Sequence, residues 1–157
     1  MNILLTTDTS YFKEGASIMC NSEPWITLKR NYEQCLEAFD GDYKEIYVTT
    51  EKNELLGFII LQMQGTFKGY IQTIAVAANA RGKGIGTALI NFAEKRITKI
   101  SPNIFICVSS FNKKAQELYL KLGYEKVGVL KGFIVKEYDE ILLRKTIGTI
   151  DEFSSVK

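Results

Sequence analysis

The sequence predicts a single domain of the α/β (α+β) class, with helices and strands alternating along one chain. Three observations lead there. A length of 157 residues leaves room for one core of ordinary size. The hydrophobic pattern switches repeatedly between the strand period and the helix period. A glycine-rich loop, Gly82 to Gly86, separates a strand pattern from a helix pattern. Hydrophobic residues make up 46% and charged residues 24%, with 12 Gly and 2 Pro, a globular composition that should fold unaided.

Residues 2–7 alternate weakly and predict a short opening strand, and residues 9–21 follow with helical spacing. Ser22, Glu23 and Pro24 form a helix start, after which Trp25, Leu28, Tyr32, Cys35, Leu36 and Phe39 recur on one face. One long amphipathic helix is expected, ended by Gly41. Residues 46–50 and 55–64, joined by the polar turn 51–53, predict an antiparallel hairpin. Residues 70–76 form a third strand pattern, and the small-residue turn 77–80 leads into RGKGIGTALINFAEKRITKI. There Ile85, Leu89, Phe92, Ala93 and Ile97 line a helix face, and Pro102 marks the break before a strand at 104–108. Phe111, Ala115, Leu118, Tyr119 and Leu122 predict another helix, stopped by Gly123. Two last strands follow near 124–130 and 137–145, and residues 149–157 read as frayed. There is no internal repeat or low-complexity linker, so residues 1–147 are expected to form the domain and 148–157 a C-terminal tail.

Composition excludes several functions. Twenty Lys and Arg against 18 Asp and Glu leave a formal charge of +2, too weak a field to gather nucleic acid or an anionic membrane. With 0 histidines, imidazole triads, HExxH zinc sites and histidine pH switches are impossible. Cys20, Cys35 and Cys107 are odd in number and lack CxxC spacing, which favours reduced thiols over disulfides or zinc. No metal is expected, and the predicted location is cytoplasmic. Neither a leader nor a membrane-spanning run is indicated.

Gly82, Gly84 and Gly86 follow a strand and open a helix, where free amides and the helix dipole suit an anion, most naturally a phosphate. Arg81 and Lys83 can add positive charge at the rim. The loop does not fit a Walker A motif, because Lys83 is followed by Gly84 and no hydroxyl is available for magnesium. It does not fit a dinucleotide fingerprint either, since its spacing is GxGxG in mid-chain. The loop alone is also compatible with a connection that serves only tight packing.

The wider segment IQTIAVAANARGKGIGTALINFAEKRI resembles the acyl-CoA-binding motif of the GNAT superfamily of N-acetyltransferases. Its Gln/Arg-x-x-Gly-x-Gly/Ala core is met by Arg81, Gly84 and Gly86. A second block, SSFNKKAQELYLKLGYEKVG, is similar to the downstream family pattern at Asn112, Ala115, Tyr119, Gly123 and Tyr124. The resemblance spans residues 2–146 and is weakest before residue 44. It implies a mixed, mostly antiparallel sheet of about six to seven strands flanked by about four helices. It also implies an N-acetyltransferase that moves the acetyl group of acetyl-CoA to a primary amine by direct attack in a ternary complex. The acceptor would be a small molecule or a protein N-terminus, and the chain a monomer or homodimer. An acyl-CoA-binding sensor with little or no catalysis is the alternative.

The same resemblance implies residue roles. The main chain of Arg81, Gly82, Lys83, Gly84, Ile85, Gly86 and Thr87 would hold the pyrophosphate of acetyl-CoA. The backbone of Ile74, Ala75 and Val76, on a strand that splays from its neighbour, would pair with the pantetheine arm, and Asn112 would hydrogen-bond that arm. Tyr119 would be the general acid that protonates the departing thiolate; its helical stripe equally suits a packing aromatic. The first two helices and the last hairpin would supply the acceptor pocket, with Trp25, Tyr32, Glu33, Tyr124, Phe133 and Tyr138.

A general base is missing from the expected places. Several family members carry a glutamate on the strand before the loop or before the Asn-containing helix, but here those strands read GYIQTIAV and IFICVSS. Tyr70 and Cys107 stand near those positions, and Cys107 lacks a partner to activate its thiol. Glu23, Glu33, Glu37 and Glu137 are the candidate carboxylates. At pH 7 an α-amine of pKa about 7.8 is neutral roughly one time in seven, a lysine of pKa about 10.4 only about once in 2,500. A site without a strong base therefore favours an amine of low pKa or proton escape through ordered water. The SEPW segment, residues 22–25, resembles one in relatives that acetylate protein N-termini.

Overall fold

The computed structural model describes residues 1–155. It contains β1 (Ile3–Leu5), α1 (Thr9–Cys20), α2 (Tyr32–Glu37), β2 (Lys44–Glu51), β3 (Glu54–Gln62), β4 (Tyr70–Val76), α3 (Ile85–Ile97), β5 (Asn103–Ser109), α4 (Lys113–Lys121), β6 (Glu125–Leu130), β7 (Glu140–Thr146) and α5 (Ile150–Ser155). The strands form one seven-stranded sheet in the order β1-β2-β3-β4-β5-β7-β6. Every neighbouring pair is antiparallel except β4 and β5. This is the mixed, mostly antiparallel sheet that the family resemblance implies.

Strand alternation divides the core into two layers. Ile59, Leu61, Ile71, Ile104 and Ile106 bury one face against α3 and α4, where Leu89, Ile90 and Ala93 meet them. Ile46, Val48, Phe58 and Ile60 bury the other face against α1 and α2, with Ala16, Met19 and Phe39. The predicted stripe on α3 is therefore its core face.

Two expectations fail. Residues 22–39 do not form one helix. Residues 22–29 wind as successive turns, with Ile26 N donating to Ser22 O and Leu28 N to Pro24 O, both at 3.0 Å. Lys29 then takes a φ of 54°, a left-handed conformation that stops the winding. α2 begins afresh from Asn31, whose Oδ1 accepts from Gln34 N at 2.8 Å while Gln34 Oε1 accepts from Asn31 N at 2.9 Å. This reciprocal cap satisfies two amides that helix starts leave open, so a new start costs little. The apolar periodicity is real but is shared by two short pieces.

The C-terminal segment is also not frayed, since α5 occupies Ile150–Ser155. Thr149 Oγ1 accepts from Glu152 N at 3.1 Å and Glu152 Oε2 accepts from Thr149 N at 3.3 Å, another capping box. Val156 and Lys157, also in the predicted tail, lie outside the described residues.

Candidate active site

The parallel pair at the sheet centre creates the site. β4 and β5 pair only at Tyr70 with Phe105 and Ile71 with Ile106. On its other side β4 stays paired to β3 out to Val76, with a register shift at Ile60/Leu61 that leaves Gln72 as the extra residue. Beyond Ile71 the strands diverge, so the β5-facing backbone groups of Gln72 to Val76 lose their ladder partner. The splay expected for Ile74, Ala75 and Val76 is present. Val76 O is occupied by Arg81 Nε at 3.2 Å.

At the end of that strand a short 3-10 turn, Ala78–Ala80, delivers the chain to the glycine loop. Gly82 and Gly84 have φ of 74° and 79°. A Cβ on either would meet nothing within 4 Å. These glycines answer to left-handed backbone, and they leave bare main chain facing open space. No side chain caps α3, whose ladder begins with Ala88 N donating to Gly84 O at 3.0 Å. The preceding amides sit at the positive end of a 13-residue helix.

A cleft of about 630 Å³ runs from this loop to α4. Arg81, Gly82, Gly84, Ile85, Gly86 and Thr87 line one wall, and Asn112, Lys114 and Lys121 the other. Bare amides, a helix start and lysines across the cleft fit a diphosphate ligand. Lys114 and Lys121 were not singled out from the sequence. Lys83 is exposed and stands between Gly82 and Gly84, which line the cleft, without lining it itself. The Arg81 guanidinium also turns back, with Nη2 donating to Ser22 Oγ at 2.7 Å. Its charge fastens the 22–29 turns to the loop.

From the cleft, a smaller cavity of about 190 Å³ passes Ile74, Ala75 and Val76 to Tyr119. It leads to a third of about 260 Å³ in the splay itself. Asn112 caps α4, its Oδ1 accepting from Ala115 N at 3.3 Å, so only its amide N–H groups remain to donate to a ligand. Tyr119 belongs to the α3/α4 core and lines both inner cavities. Burial pushes its hydroxyl up to about 12, so it stays protonated at neutral pH.

The splay cavity is lined by Trp25 and Phe133, whereas Tyr32, Glu33 and Tyr138 do not reach it. Tyr124 is buried in the α3/α4 core at 2% exposure, where its ring stands 6.0 Å from that of Tyr119. Tyr138 stacks edge-on against Phe111 at 4.8 Å. Of the candidate carboxylates, Glu33, Glu37 and Glu137 are exposed and away from the cavity. Glu23 lines it, but its carboxylate accepts from Thr27 Oγ1 at 2.9 Å and Thr27 N at 3.3 Å. Cys107 lines it too, and burial raises its thiol pKa, which opposes a thiolate nucleophile.

One carboxylate in this cavity was missed. Glu140 opens β7 directly opposite Ser109 and is 5% exposed. Its Oε2 is buried with no hydrogen-bond partner among the described residues. Burial raises its pKa, and the Ser109 hydroxyl beside it offsets part of the effect. The available signal was an acid at the head of the apolar run EILL, where a solvated side chain does not belong.

A family model described as the acetyltransferase (GNAT) family matches residues 12–124. The chain belongs to the GNAT acetyltransferase family. An N-alpha-acetyltransferase of Saccharolobus solfataricus is 29% identical over 139 residues, 78% of this chain and 82% of that protein. Another N-alpha-acetyltransferase, of Sulfurisphaera tokodaii, is 28% identical over 110 residues, 62% of this chain and 66% of that protein. Among solved structures, an aminoglycoside 6'-N-acetyltransferase complexed with coenzyme A superposes with a TM-score of 0.74 at 20% identity, over 95% of this chain and 98% of that one. This GNAT protein is an N-acetyltransferase with acetyl-CoA as co-substrate.

Proposed function

We propose that this acetyltransferase acts on the α-amino group of a peptide or protein N-terminus, by direct attack on acetyl-CoA in a ternary complex. The observation that carries the reading is the splay between β4 and β5, because it joins the phosphate cleft to the Trp25 and Phe133 cavity on the other side of the sheet. Two substrates entering from opposite faces meet in the gap, and no covalent enzyme intermediate is needed.

In this reading the main chain of Arg81 to Thr87 holds the diphosphate, with Lys114 and Lys121 adding charge. The unpaired edge of Ile74, Ala75 and Val76 extends the strand ladder to the pantetheine arm, and an Asn112 amide N–H donates to it. Tyr119, protonated at neutral pH, supplies a proton to the departing sulfur. Support for an α-amine comes from the similarity to two N-alpha-acetyltransferases and from the charge of the pocket. Among the described residues two carboxylates and no Lys or Arg line the splay cavity, which suits a cationic acceptor. An α-amine also surrenders its proton more readily than a lysine. The three cysteines are free among the described residues, which supports a reducing, cytoplasmic setting.

Thiol release from acetyl-CoA tests the assignment, using a lysine-containing peptide with a free N-terminus and the same peptide with its N-terminus blocked. The free peptide should turn over and the blocked one should not, with mass spectrometry placing the acetyl group on the α-nitrogen. Equal turnover of the blocked peptide would overturn the α-amine assignment.

A further inference from the structure

Building on acetyl transfer in the β4/β5 gap, we infer that Glu140 is the proton acceptor for the attacking amine. The sheet geometry places it. On β5, Ile104, Ile106 and Val108 face the α3/α4 core that contains Tyr119. Phe105, Cys107 and Ser109 must then face the other side, because successive residues of a strand alternate. Glu140 pairs with Ser109 and Leu142 with Cys107, while Ile141 and Leu143 pack in the Tyr119 layer. Glu140 therefore lies on the acceptor side of the gap and Tyr119 on the opposite side, and both line the same cavity.

That arrangement matches the demands of the reaction. As the amine nitrogen bonds to the thioester carbon, it must lose a proton; as the carbon–sulfur bond breaks, sulfur takes its electron pair and a proton. Glu140 receives the first proton and Tyr119 gives the second. Afterwards Glu140 releases a proton to solvent and Tyr119 regains one, so the balance is one amide and one free thiol. The two groups border the gap from opposite sides, so a single residue need not serve both transfers.

The surroundings leave Glu140 free for this task. Ser109 and Cys107 face it from β5, Tyr70 from β4 and the apolar Leu130 from β6, and Glu23 shares the cavity from the 22–29 turns. Among the described residues no Lys or Arg lines the cavity to hold the carboxylate in an ion pair. The unpartnered Oε2 is a buried acceptor, as is the Ser109 hydroxyl opposite it, and it is the orphaned carboxylate oxygen that borders the gap. Burial also raises the carboxyl pKa toward the range in which a base is effective at neutral pH.

The test uses the intact enzyme, acetyl-CoA and two tetrapeptides, one starting with Ser and one with Gly, whose α-amines differ in pKa. For wild type, the pH profile of kcat/KM should contain one acid-side ionisation that moves with the peptide and one that does not. In Glu140→Gln the fixed ionisation should vanish and kcat/KM should fall about 10²–10⁴-fold, with the acetyl-CoA Kd unchanged. A Glu140→Gln enzyme that keeps its kcat/KM within threefold of wild type, in a reaction wild type performs well, overturns the base and leaves acetyl transfer standing. A wild-type enzyme inert toward both peptides and toward simple primary amines refutes acetyl transfer itself. Should the variant fail to fold, the wild-type profiles decide: absence of any ionisation independent of the acceptor overturns the assignment.

Discussion

Tyr119 shares its helical stripe with Ala115, Leu118 and Leu122, as a core aromatic would, and it also borders the two inner cavities. Packing and the proposed acid role thus fall on one side chain, and they can be separated by removing one atom. Tyr119→Phe keeps the ring and should retain acetyl-CoA affinity while kcat drops about 10²-fold or more; full turnover would return Tyr119 to a purely structural role. Glu140 can be probed without turnover. Its folded-state pKa lies above the ordinary value of 4.5, so the folded protein binds its proton more tightly than the unfolded chain does. Stability from this group is present at low pH and is lost as pH rises from about 4.5 through the raised folded value. Glu140→Gln should therefore melt higher than wild type at pH 7, and the difference should close below about pH 4. A variant that melts lower at pH 7 would show that the carboxylate has partners that stabilise its charged form.

At the scale of elements, the start of α3 combines two kinds of glycine with opposite consequences. Gly84 is held at a φ of 79°, so Gly84→Ala should cost about 1–2 kcal/mol of stability although its methyl would meet nothing. Gly86 lies within the helix, and a Cβ there would make an ordinary 3.8 Å contact with Val76. Gly86→Ala should raise the stability of the free protein by up to about 1 kcal/mol. It should also weaken acetyl-CoA, by placing a methyl on the cleft wall. Melting curves with and without CoA, together with calorimetric titration, separate the two effects; unchanged affinity in Gly86→Ala would remove this turn from the diphosphate site. The broken helix at residues 22–39 and the unexpected α5 show the limit of periodicity. Both contain capping boxes, N-x-x-Q at Asn31 and T-x-x-E at Thr149, so the helix starts were present in the sequence as local chemistry. The left-handed turn at Lys29 had no such local mark.

For the whole molecule, the question is how an open, splayed sheet keeps its cleft in register. α3 leaves its first turn free for ligand and anchors its far end to two distant strands. Arg96 Nη2 donates to Glu45 Oε1 on β2 at 2.5 Å, and Nε to Oε2 at 2.9 Å, while Tyr47 Oη donates to the same carboxylate at 2.6 Å. Lys145 Nζ on β7 donates to Glu94 Oε2 at 2.9 Å. These links span both arms of the sheet across the gap. Glu45→Gln should lower unfolding stability by about 1–2 kcal/mol in chemical denaturation, since both Arg96 and Tyr47 lose a charged acceptor. Acetyl-CoA affinity should be retained, because the hydrophobic face of α3 still seats the helix. A large loss of affinity would mean that the ion pair, and not the core, sets the position of the loop.

The sequence by itself determined the loop. Glycines at Gly82, Gly84 and Gly86, the strand before them, the stripe behind them and the second block around Asn112 and Tyr119 are all local in the chain. Local periodicity and backbone handedness act on neighbours, so they can be read from neighbours. Only the tertiary structure decided where the strands part and which carboxylate enters the gap. Glu140 reaches the splay cavity because β7 inserts between β5 and β6 and sets it opposite Ser109, more than thirty positions earlier in the chain. A shift of one residue in that register would turn its side chain to the other face. Pairing between distant strands, and not the residues flanking Glu140, therefore makes this carboxylate available for chemistry.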